Sequence, residues 1–174
     1  MDKTILQKFI KEISDAVHGK WILIGGAVLP LLDIQYRVTQ DIDLIGPTTS
    51  TQKDTLTLMK IAEKLGFPIE TINQAASFFL HKIPQWEKEL VLLHQGKHAR
   101  IFRPSATLFI LLKIQRLSQT DFEDCIQMLQ FACQEKESID SLTIKKEIDA
   151  HLKRKPSSEK SKRLKKLRLS LRGL

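Results

Sequence analysis

At 174 residues the chain is long enough to bury a sizeable core without disulfides or metals to hold it together, and short enough that one domain is the default. A composition of 42% hydrophobic and 28% charged residues excludes global disorder, and the low aromatic content, 6%, points to a core of Leu and Ile. The formal charge of +8 is concentrated at one end: residues 151–174 hold ten Lys or Arg and one acid, while the other 150 residues hold 18 Lys or Arg and 19 acids.

The longest uncharged apolar run, residues 21–32, is interrupted by two glycines and a proline and is far shorter than the roughly 20 residues a membrane helix needs. No transmembrane segment is expected. The N-terminus alternates charged with apolar residues and lacks the layout of a signal peptide, so the expected location is cytoplasmic. Cys125 and Cys133 are eight residues apart in a helical pattern, about 12 Å at 1.5 Å per residue, too far for a disulfide. Both are read as small buried apolar residues on a shared face, which suits a reducing compartment.

In chain order, Ile5, Leu6, Phe9, Ile10, Ile13 and Val17 have the spacing of one helix face over residues 3–17. The apolar run Trp21-Ile22-Leu23-Ile24, ended by Gly25-Gly26, reads as a buried central strand, and residues 27–32 as a short buried helix. Residues 41–45 alternate acid with apolar residue, a strand with one polar face that Gly46-Pro47 ends. Thr51 to Asp54 resembles a capping box and opens a helix with Leu56, Met59, Ile61, Ala62 and Leu65 as its apolar stripe, stopped at Gly66. Strand-like segments follow at 68–72, 77–81, 90–94 and 99–102, with Gln95-Gly96-Lys97 as a hairpin turn.

From Pro104 the pattern is helical. Ser105 caps a helix apolar on every side, Thr120 to Glu123 forms a capping box for a helix starting at Asp121, and a third helix spans about 138–152. A last helix is expected after residue 156, with Leu164, Leu167, Leu171 and Leu174 in one stripe among basic residues. The fold class is therefore α/β: an α/β core over residues 1–103, a helical part over 104–155, and a basic tail over 156–174 that is helical or disordered.

Within this frame a few residues carry chemistry. In a strand, residues two apart face the same way, so Asp41 and Asp43 project side by side. Two such acids either hold a divalent metal between them or stand solvated on an exposed face. Gly25-Gly26, between strand and helix, either lets backbone N–H groups approach a phosphate or makes a tight turn. Arg37 and Thr39 lie four and two residues before Asp41; Arg37 orients a carboxylate, meets a phosphate or remains a surface arginine. The chain has neither the Gly-Lys-Ser/Thr of a P-loop nor the Gly-x-Gly-x-x-Gly of a dinucleotide fold.

Gly-Gly, about ten residues, then Arg-x-Thr-x-Asp-x-Asp resembles the nucleotidyltransferase superfamily, and within it the abortive-infection AbiEii-like toxins and related uncharacterised bacterial nucleotidyltransferases. Lys113-Ile114-Gln115-Arg116 followed by Asp121-Phe122-Glu123-Asp124 is similar to the same group's downstream Lys helix and Asp-x-x-Asp helix start. The resemblance spans about residues 20–135. It implies a mixed sheet flanked by helices and transfer of a nucleoside monophosphate from an NTP to an acceptor hydroxyl, dependent on Mg²⁺ or Mn²⁺. Asp41 and Asp43 would hold the metal, Gly25 and Gly26 would cradle the triphosphate with Arg37, Thr39, Lys113 and Arg116, and Lys113 and Asp121 would join the catalytic set. Many members place a third carboxylate on a neighbouring strand. Residues 77–81 offer none, which leaves Glu70, Glu89 or Asp121.

Lys113 follows five apolar residues and needs an anion: a triphosphate, or Asp121 or Asp124 in a structural ion pair. Asp121 at a helix start is favoured by the dipole alone, and Asp124 one turn on would orient Lys113 or Arg116. The basic tail has no aromatic residues, which favours salt-sensitive phosphate attraction over base stacking. Its expected partner is RNA, such as a tRNA acceptor, or an acidic protein such as an antitoxin; otherwise its leucines dock on the chain itself.

Overall fold

A computed structural model describes residues 2–39, 41–68, 71–73 and 77–172. The chain divides into two compact units, Met1–Lys82 with Leu90–Pro104, and Ile83–Glu89 with Ser105–Leu174.

The first unit is an α/β layer. Helix α1 (Lys3–Ala16) is capped by the Asp2 carboxylate and buries Leu6, Phe9, Ile10 and Ile13, four members of the expected face, whereas Ile5 is exposed. Strand β1 (Gly19–Ile24) is followed by a 3₁₀ turn over Gly25–Ala27 and the short helix α2 (Val28–Leu31). Strand β2 (Ile42–Ile45) runs antiparallel to β1, pairing Ile22 with Ile45 and Ile24 with Asp43. Helix α3 (Gln52–Lys64) starts at the expected box, in which the Thr51 hydroxyl accepts from the Asp54 N–H and the Asp54 carboxylate accepts from the Thr51 N–H. Its buried face is Leu58 and Ala62, while Leu56 is exposed; the i, i+4 pair faces α1, which sets a different phase from the expected stripe.

Strand β3 (Ile72–Asn73) is shorter than the expected 68–72 segment and pairs parallel with β2. Glu70 lies outside the described residues. The segment expected as a strand over 77–81 is a helical turn instead, α4 (Ser77–Leu80). It buries Leu80 and leaves Phe78 and Phe79 exposed, with the Lys82 ammonium 3.9 Å from the Phe78 ring centre. Aromatic content alone does not make a strand, because β preference reflects packing on a sheet and no sheet neighbour engages this segment. Strands β4 (Leu90–Gln95) and β5 (Ala99–Pro104) form the expected hairpin. The complete sheet is mixed, with order β3-β2-β1-β5-β4, and β1 at its centre carries the fully buried Trp21 and Leu23.

The second unit is helical. A 3₁₀ turn over Trp86–Glu89 precedes α5 (Ala106–Ile114), whose Ser105 cap and near-complete burial match the sequence reading. Helix α6 (Gln119–Gln134) starts two residues earlier than expected. Ser118 is the capping residue and Asp121 its third-position partner, so Thr120 lies inside the helix. Helix α6 buries Cys125 but exposes Cys133, because eight residues advance a helix about 80° past two full turns. Helix α7 (Ser141–Lys153) leads to α8 (Ser158–Ser170), which packs on α6 and α7 through Leu164 and Leu167, with Leu171 also buried. Leu174 lies outside the described residues. Burying each of Leu164, Leu167 and Leu171 contributes about 1.5–3 kcal/mol. Among the described residues no helix is long and apolar enough to cross a membrane.

Candidate functional site

In the first unit the site forms where β1 ends beside β2. Gly25 has φ +73°, a left-handed conformation that glycine adopts without steric cost. A Cβ there would stand 2.2 Å from Oδ2 of Asp43, so the missing side chain is what lets that carboxylate lie against the turn. A Cβ on Gly26 would meet Nη2 of Arg37 at 2.5 Å and Oγ1 of Thr39 at 3.1 Å. The glycine pair is thus closed over by Asp43 from one side and by the 37–39 loop from the other. Thr39 is buried, and Arg37 is half-buried, donating from Nε to the Tyr36 hydroxyl (3.2 Å) and from Nη1 to the Val38 carbonyl (3.4 Å).

Asp43 sits inside β2, between the buried Ile42 and Leu44, and is half-exposed. Asp41 departs from the sequence reading. It precedes the strand, because pairing with β3 begins at Ile42 and pairing with β1 at Asp43. It is exposed and makes no ion pair or hydrogen bond among the described residues.

Asn73 is a member of the site that sequence reasoning missed. It stands opposite Asp43 in the parallel β2–β3 register, and its Nδ2 donates to Oδ1 of Asp43 at 2.7 Å. The signal was absent from the local sequence, since a two-residue strand has no periodicity to read.

As a metal site, Asp41 and Asp43 offer only hard carboxylate oxygens. That set fits Mg²⁺, which takes one or two protein carboxylates and completes its shell with water and substrate phosphates. No cluster of three or more His, Cys, Asp or Glu side chains suited to a metal occurs among the described residues.

The remaining candidates gather in the helical unit. Nζ of Lys113 lies 3.0 Å from Oδ1 of Asp121 and 2.7 Å from Oδ2 of Asp124. Arg116 donates to both oxygens of Asp121, from Nε at 2.7 Å and from Nη2 at 3.0 Å. The Ser118 N–H and hydroxyl add two more bonds to Asp121, at 3.0 and 2.8 Å. Asp124 is fully buried and the Lys113 side chain only 12% exposed, so the anion that Lys113 requires is supplied by two carboxylates of its own unit. Burial pushes the Asp121 pKa up, but the Arg116 hydrogen bond, the Lys113 charge and the Ser118 hydroxyl outweigh it and hold the carboxyl well below its ordinary range. Beside this cluster, burial raises the Cys125 thiol far above its ordinary range, which leaves it an inert core residue. Glu89, also in this unit, accepts from the Ser105 hydroxyl at 2.5 Å.

The basic residues of α8 fall into two sets. On the inner side Lys160 donates to the Gln115 carbonyl (2.7 Å) and Arg163 to the Leu117 carbonyl (2.8 Å), at the C-terminal end of α5 where cations are favoured. Arg168 pairs with Asp149 through two bonds. Lys162, Lys165 and Lys166 are exposed, and their ammonium groups make no ion pair or hydrogen bond among the described residues.

A family model described as "Nucleotidyltransferase of unknown function (DUF6036)" matches residues 3–166, which takes in both units. No curated protein and no solved structure matches the chain. The match covers nearly the whole length, and the chain belongs to this family.

Proposed function

We propose that this family member transfers a nucleoside monophosphate from an NTP to an acceptor hydroxyl, with Asp41 and Asp43 holding Mg²⁺ or Mn²⁺. The observation that carries the reading is the fit of the Asp43 carboxylate into the space left by Gly25. A metal ligand has to be held in one place, and here a left-handed glycine, the β1 pairing and the Asn73 amide all act on one side chain. The bound cation would supply charge neutralisation to the triphosphate. In the reaction the acceptor oxygen bonds to the α-phosphorus, the bond from that phosphorus to the β-phosphate's bridging oxygen breaks, pyrophosphate leaves and the hydroxyl proton passes to solvent. Arg37, beside Gly26, would meet phosphate oxygens, and Thr39 holds its loop against the turn.

Lys113, Arg116, Asp121 and Asp124 are read here as a structural ion cluster rather than as triphosphate ligands, because each charge already has a partner. RNA, tRNA included, is the proposed acceptor, supported by the outward Lys162, Lys165 and Lys166. A toxin role of the AbiEii-like kind, with an acidic antitoxin covering that same helix, follows from the sequence resemblance, and the free cysteines suit action in the cytoplasm.

The test is incubation with each labelled NTP, Mg²⁺ or Mn²⁺, and total RNA or lysate, comparing wild type with Asp43→Ala. Label on an acceptor that drops on the order of a hundredfold in the variant is expected. Absence of Asp43-dependent label, together with no NTP binding by calorimetry, would sink the proposal in favour of a second reading: a nucleic-acid-binding or regulatory protein that keeps the fold without catalysis. That second reading is favoured by one observation, the amide of Asn73 where a carboxylate would adjoin Asp43.

A further inference from the structure

Asp43 and Asn73 are opposed in register on neighbouring parallel strands, with amide nitrogen and carboxylate oxygen 2.7 Å apart. An aspartate in that place would have the same size and bring two anionic oxygens nearly into contact. Such a pair is stable only with a cation between the oxygens or a shared proton. The amide removes that requirement, because its N–H satisfies Oδ1 of Asp43 directly. Oδ2 lies on the Gly25 side and faces the turn.

A two-ion site needs carboxylates that flank or bridge ions about 4 Å apart. Among the described residues no third carboxylate joins Asp41 and Asp43, and the position in best register to supply one is occupied by a hydrogen-bond donor. We infer that the site takes one divalent cation, and that Asn73 is the positioning residue that sets this limit by holding Asp43 through its Oδ1. The inference rests on the metal reading given under Proposed function. It has a chemical corollary: residue 73 cannot accept the acceptor's proton, so the proton leaves by way of solvent.

Titration of the full chain with Mn²⁺ alone, followed by loss of the free-ion electron paramagnetic resonance signal, tests this without reference to turnover. Wild type is expected to bind one Mn²⁺ that Asp43→Ala abolishes. Asn73→Asp is expected to bind Mn²⁺ about tenfold more tightly or to take a second ion. Its metal-free form should melt below wild type, and Mn²⁺ should raise its melting temperature by more than it raises that of wild type. Asn73→Ala should keep one ion at reduced affinity. Two Asp43-dependent ions in wild type, or an Asn73→Asp protein indistinguishable from wild type in both measurements, would overturn the inference and leave nucleotidyl transfer standing. No Asp43-dependent Mn²⁺ in wild type would overturn the inference and the metal reading together.

Discussion

Both units gather carboxylates, and they treat them in opposite ways. In the helical unit Asp121 and Asp124 are buried against Lys113, Arg116 and Ser118, so each charge of that cluster is answered within the unit. In the sheet unit Asp43 rests on a glycine and an amide, and Asp41 stands exposed without an ion pair among the described residues. A carboxylate its own chain has neutralised has little left to offer a cation.

The largest effect that would break the contrast is expected at Gly25. Gly25→Ala puts a methyl where Oδ2 of Asp43 lies and forces a left-handed backbone on a residue with a Cβ, a cost of about 1–2 kcal/mol. Nucleotidyl transfer should fall on the order of a hundredfold, as for Asp43→Ala, while the urea midpoint moves only modestly. Activity close to wild type would remove the turn from the site.

The helical cluster should behave in the reverse sense. Lys113→Met leaves two carboxylates facing one another and should destabilise by about 3–5 kcal/mol in urea unfolding. Adding Asp124→Leu should recover much of that loss, and the double variant should bind NTP as wild type does. A double variant that folds but binds NTP at least tenfold more weakly would return Lys113 to the nucleotide site.

Acid sharpens the same distinction. The Asp121 carboxyl titrates lower in the folded protein than in the unfolded chain, where an aspartate has a pKa of about 3.9. Its contribution is therefore present above that value and lost as the pH falls below it, because the unfolded chain then binds more protons. Stability measured by urea unfolding should decline from about pH 5 to pH 3 in wild type, with a flatter dependence and a lower plateau at neutral pH in Asp121→Asn. Parallel profiles would contradict the pairing.

The smallest effect concerns α8. Truncation is a poor probe of its charge, because it removes buried Leu164, Leu167 and Leu171 along with the lysines. Replacing Lys162, Lys165 and Lys166 together by Gln keeps the helix and its docking face. RNA affinity should weaken and the slope of log affinity against log salt should lessen by about two, while the melting temperature holds. An unchanged slope would direct the search for an acceptor elsewhere on the surface.

Much of the local chemistry was legible in the chain. The Thr51 box, the Ser105 cap, the β4–β5 hairpin and the amphipathic faces of α1 and α8 follow from residues within four or five positions of one another. Gly25 and Asp43 were legible as candidates because each ends or alternates within an apolar strand. Where local signals competed, sequence reasoning slipped: Ser118 outranked Thr120 as the α6 cap, and α4 coiled where its aromatics suggested a strand.

What the sequence by itself determined was the α/β body followed by helices, the position of the glycine turn and the acids, and the concentration of positive charge at one end. The tertiary structure decided partners. Asn73 meets Asp43 across 30 residues because two strands pair in one register, and Lys113 finds Asp121 and Asp124 because two helices pack closely. Periodicity and capping act over a few residues, whereas register and helix packing depend on which elements become neighbours, and that is set only when the whole core closes.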